Sequence, residues 1–82
     1  MNYEKLKDLA DRLRAVPATR HYANLITESL TAWHSRQQDP SLLVELDIMA
    51  SWLKGSMRHN DAQVIENLSS AMRKREREKV DA

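Results

Sequence analysis

Only three residues of this chain are able to interrupt a helix, Pro17, Pro40 and Gly55, and the segments between them repeat their apolar side chains at intervals of three and four. Such spacing places the apolar groups on one face of an α-helix, where they can be buried together. Ten leucines and nine alanines, against four valines and no phenylalanine, push the same way, because strand-forming side chains are scarce. The expected fold is therefore all-α, a small antiparallel bundle of three to four helices. Residues 1–72 are expected to form the single bundle domain and 73–82 a charged helical extension or tail.

The expected helices follow from punctuation and stripe. Asn2 is a good N-cap, with Glu4 in the first turn where the helix dipole favours an acid. Behind it Tyr3, Leu6, Leu9, Ala10, Leu13 and Val16 make one stripe, and Pro17 disfavours helical backbone at Val16. A second helix is expected from Ala18 or Thr19 to Gln37, carrying Tyr22, Ala23, Leu25, Ile26, Leu30 and Trp33. In QQDPS, Asp39 suits an N-cap and Pro40 the first helical position. The third helix, Pro40 to about Lys54, is the most apolar. Leu42, Leu46, Met49 and Leu53 form its main stripe, Leu43 and Ala50 one flank, and Val44, Ile48 and Trp52 the other. A stripe so wide predicts a helix contacted from more than one side, at the centre of the fold or across a subunit interface.

Gly55 is the natural candidate for a residue of positive φ ending the third helix. Asn60 and Gln63 resemble a variant capping box opening a fourth, with Ala62, Val64, Ile65, Leu68, Ala71 and Met72 on its apolar side. Helix, short link and helix together suggest a DNA-reading helix-turn-helix. Register argues against it. With Gly55 in the turn, Asp61 falls where that motif buries an aliphatic side chain. The second helix also has no cation before Arg73 to grip phosphate. The corner reads instead as a bundle corner and a candidate protein-contact patch of Trp52, Met57, Arg58 and His59. Trp33 joins the partner-binding candidates because Trp and Met are enriched where proteins meet.

Composition excludes more than it selects. A hydrophobic content of 41% is enough to form a core, and the formal net charge of +1 is no electrostatic footprint for nucleic acid. The absence of cysteine removes disulfides and thiolate metal sites. His21, His34 and His59 have no ligand spacing, and no nucleophile, base and orienting acid stand at a diagnostic interval, so neither metal, cofactor nor enzyme activity is expected. The charged N-terminus and the lack of any apolar run of about 20 residues predict a cytoplasmic protein without a membrane partner. So small a chain without staples is expected to associate, as a homodimer or with another protein.

Two functions follow. The first is a small non-catalytic protein-binding module: a regulator, inhibitor, adaptor or co-chaperone of bacterial or phage type, which occupies a partner protein's surface. The alternative is a nucleic-acid-binding regulator using Arg73, Lys74, Arg75, Arg77 and Lys79. Glu76 and Glu78 dilute that cationic segment and no aromatic side chain lies beside it in sequence to stack on bases.

Overall fold

The computed structural model describes residues 2–37 and 39–81, without the side chains of 79–81. Four α-helices follow one another: α1 (Tyr3–Arg14), α2 (Arg20–His34), α3 (Pro40–Gly55) and α4 (His59–Asp81), with a short 3₁₀ turn at Pro17–Thr19 between α1 and α2. There is no strand among the described residues. Each helix lies antiparallel to the one before it, an up-down-up-down bundle measuring 41 × 22 × 22 Å. α1 packs chiefly on α2 and α3 on α4, so the molecule is two helical hairpins laid together.

Helix starts are set as the side chains dictate. The Asn2 carboxamide oxygen accepts from the Lys5 N–H at 3.1 Å. Asp39 accepts from the Ser41 N–H at 3.0 Å and from its hydroxyl at 2.6 Å, with Pro40 beside it. Val16, ahead of Pro17, is extended (φ −108°, ψ 118°), so the helical backbone breaks before the proline as the sequence indicates.

The core takes Leu6, Leu9 and Leu13 from α1, Ala23 and Ile26 from α2, Leu46, Met49 and Leu53 from α3, and Ala62, Ile65 and Leu68 from α4. Each large side chain buried this way contributes about 1.5–3 kcal/mol. Ion pairs then lace the surface between helices. Arg12 grips Asp61 with two hydrogen bonds of 3.0 and 3.3 Å, joining the end of α1 to the start of α4. Lys54 pairs with Glu66, and Arg73 with Asp47, across the α3–α4 hairpin. Asp61, only 16% exposed at its side chain, is thus a structural acid at a helix seam.

Both long corners depart from the sequence-based expectation. α2 ends at His34 and not at Gln37. The Gln37 N–H returns to the Ala32 carbonyl at 3.0 Å and the Arg36 N–H to that of Trp33 at 3.3 Å, with Arg36 at φ 57°. α3 closes identically: Arg58 N–H to Leu53 at 2.8 Å, Met57 N–H to Lys54 at 3.0 Å, and Met57 at φ 61°. These are Schellman motifs. Gly55 is the last helical residue, without positive φ; the left-handed position falls two residues later, on Met57. α4 correspondingly begins at His59, its first bond running from the Ala62 N–H to the Arg58 carbonyl at 2.9 Å. The capping box between Asn60 and Gln63 does not form, and Gln63 bonds to Asn67 one turn on.

Candidate protein-contact surface

The α3–α4 corner presents Met57 outward. A left-handed backbone costs an L-residue about 1–2 kcal/mol, and here it turns an apolar side chain away from the bundle until 80% of the residue is exposed. Next to it Arg58 lies with its guanidinium 5.8 Å from the centroid of the Trp52 ring. Trp52 is half-buried, packed on the core on one side and stacked on Tyr22 of α2 (centroids 4.9 Å apart, planes 23°). His21 leans on Tyr22 at 4.0 Å. Trp52, Met57, Arg58 and the exposed His59 thus occupy one end of the molecule, grouped as their sequence neighbourhood implies.

From Trp52 the apolar surface runs back along α3. Ile48 and Val44, one and two turns earlier, are 58% and 59% exposed. They lie opposite Leu42, Leu46, Met49 and Leu53, which face the core. One side of the expected wide stripe is therefore buried and the other is not. Beside it an open groove between α2 and α3 is lined by His21, Tyr22, Leu25, Glu28, Glu45 and Ile48. Val44, Ile48, Tyr22 and Glu45 were absent from the candidates drawn from sequence. The signal was present, since residues 44, 48 and 52 repeat every four positions on the flank away from the main stripe.

Trp33 stands elsewhere. It lies eleven residues beyond Tyr22 on α2, about 16 Å along the axis, at the opposite end of the bundle from Trp52. Its indole N–H donates to the Tyr3 hydroxyl at 2.8 Å, and the Tyr3 ring stacks on His34. The Arg75 guanidinium covers its other surface at 3.2 Å from the ring centroid and donates to the Trp33 carbonyl. The cavity bordered by Trp33, Leu43, Met72 and Arg75 measures about 20 Å³, room for a water molecule and no ligand.

The cations of the C-terminal segment divide. Arg73 does not pair with Glu76 one turn on; it donates to the Ser69 hydroxyl at 2.9 Å and to Asp47. That hydrogen bond holds the Asp47 carboxyl below its ordinary range and raises the guanidinium above its own. Arg75 is committed to Trp33. Lys74 and Arg77 stay exposed, and the side chain of Lys79 lies outside the described residues. No known protein family, curated protein or solved structure matches the chain.

Proposed function

We propose that this chain is a small non-catalytic protein-binding module, a cytoplasmic regulator, inhibitor, adaptor or co-chaperone, which works by covering a partner protein's surface. The observation that carries this reading is the uninterrupted apolar strip Val44–Ile48–Trp52, extended by Met57 at the corner. Leaving such side chains in water forgoes the roughly 1.5–3 kcal/mol that burial of each would contribute, and contiguous exposed apolar patches mark contact sites. Met57 adds to this because its unbranched thioether adapts to irregular surfaces. The charged groups argue for the same class. Arg12, Asp47 and Arg73, whose proton affinities are displaced, are each spent tying helices together. The nucleic-acid alternative draws less support, since two of its five cations are engaged within the fold.

The test is capture from an extract of the source cells with the immobilised chain, compared with Ile48→Asp and Met57→Ser. Both variants should keep the helical circular dichroism and lose the captured protein. Capture indistinguishable from wild type in both would refute the reading. A shift of labelled DNA or RNA that is abolished by Lys74→Gln with Arg77→Gln would replace it with the alternative.

A further inference from the structure

We propose that the outer face of α3 is covered by a second copy of this chain, the two α3 helices packing antiparallel about a twofold axis at Ile48. The inference rests on the reading of this face as a protein-contact surface and names its occupant.

The face is self-complementary about Ile48. Ser41 lies seven residues before Ile48 and Gly55 seven after, an interval that returns an α-helix to within about 20° of the same direction. All three are exposed, as are Val44 and Ser51 between them. In an antiparallel pair, residues equidistant from Ile48 meet. Val44 then packs on the partner's Trp52, Ile48 on the partner's Ile48, and Ser41 on the partner's Gly55. Large apolar groups sit at the centre and small ones at both ends, so nothing bulky at the ends keeps the central groups from meeting. A twofold interface requires this match of a surface with itself.

Gly55 supplies an independent argument. It lies in helical backbone without positive φ, and a Cβ built on it would meet nothing within 4 Å. The chain's own packing therefore has no use for a glycine there, although glycine is among the worst helix formers. An approaching helix does use it.

Charge agrees with the same register. The twofold brings the α2 side of one copy to the α2 side of the other. Glu45 there comes level with the partner's Ser51, beside the partner's Trp52 and the guanidinium of the partner's Arg58 that lies against that ring. Neither Glu45 nor Arg58 has an ion-pair partner within the chain among the described residues. Asp47, near its own symmetry mate on the far side, is already neutralised by Arg73. Parallel packing would lack the matches of Val44 with Trp52 and of Glu45 with Arg58. A stable interface takes roughly 800 Å² from each partner, about a seventh of the 5458 Å² this chain exposes. The outer face of α3, 16 residues and about 24 Å long, is widened by the adjoining α2/α3 groove.

Sedimentation equilibrium of the 82-residue chain from about 5 to 500 µM tests the proposal. Wild type should approach twice the 9.5 kDa of one chain. Ile48→Asp should weaken association at least about thirtyfold with its circular dichroism and melting as a dilute monomer unchanged. Glu45→Arg and Arg58→Glu should each weaken it about five- to tenfold, and their combination should restore it. Restoration identifies the register, which a fold-damaging substitution would not produce. A wild-type monomer throughout, or a dimer that Ile48→Asp leaves intact, overturns the proposal. If a wild-type monomer still captures a cellular protein through Ile48 and Met57, only the occupant is wrong. If neither association nor capture occurs, the contact-surface reading falls as well.

Discussion

Asp47 sits midway along α3 with its carboxylate accepting from Arg73 and from the Ser69 hydroxyl at 3.2 Å. The Arg73 hydrogen bond is the main cause of its lowered proton affinity. A carboxyl that binds its proton more weakly in the folded chain than in the unfolded one stabilises the fold above the unfolded value, here 3.8. That contribution fades as pH falls through the folded value. Both side chains are about half exposed, so the pair belongs with surface ion pairs, at about 0.2–1 kcal/mol. Asp47→Asn should therefore be less stable than wild type by that amount at pH 7, in urea unfolding followed by circular dichroism. The two stability curves should converge below pH 3.8. A gap of constant size down to acid pH would mean that the charge of Asp47 is not what the substitution removes.

Among the elements, α4 has an extension whose role is decided at long range. Its last turns carry charge on every side, and from composition alone they read as a solvated tail. Arg75 instead reaches Trp33, 42 residues away in sequence. Cation–π contact and a hydrogen bond to a carbonyl together contribute about 1–2 kcal/mol when partly desolvated. Arg75→Gln should lower the melting temperature by about 4–8 °C per kcal/mol lost and alter Trp33 fluorescence. Lys74→Gln and Arg77→Gln should stay within about 0.5 kcal/mol of wild type. Equal melting of all three would return the segment to the status of a tail. The same distinction separates what was legible in the sequence from what was not. Helix class, the α1 stripe, the break at Pro17 and the Asp39–Pro40 start depend on neighbours within one turn, and the structure agrees with each, except that the stripe's two ends, Tyr3 and Val16, are exposed. Corner geometry does not. The sequence favours Gly55 for the left-handed position because glycine tolerates it, yet a Schellman closure places that position where the hairpin must turn, at Met57 and likewise at Arg36. The patch was legible in part: Trp52, Met57, Arg58 and His59 are sequence neighbours, whereas Tyr22 joins Trp52 only through the packing of α2 on α3.

For the molecule as a whole, the question is why a chain this small leaves its most apolar helix half uncovered. A core supplied by an 82-residue chain without disulfides yields only a few kcal/mol of net stability. Covering Val44, Ile48 and Trp52 by association would add to it through mass action. Gly55 separates the two states. In the isolated chain Gly55→Ala adds a methyl group that touches nothing and improves helix propensity, so the monomer should gain about 0.5–1 kcal/mol. In the antiparallel dimer the same methyl group stands against the partner's Ser41 and holds the helices apart. Wild-type melting temperature should rise with protein concentration, each tenfold step above the dissociation constant adding about 1.4 kcal/mol per mole of dimer. At low micromolar concentration Gly55→Ala should melt above wild type. At several hundred micromolar its advantage should shrink or reverse. Calorimetric scans of both proteins across that range decide the matter: curves that climb in parallel would show that Gly55 is outside the interface, and curves that stay flat would show that α3 remains uncovered in solution.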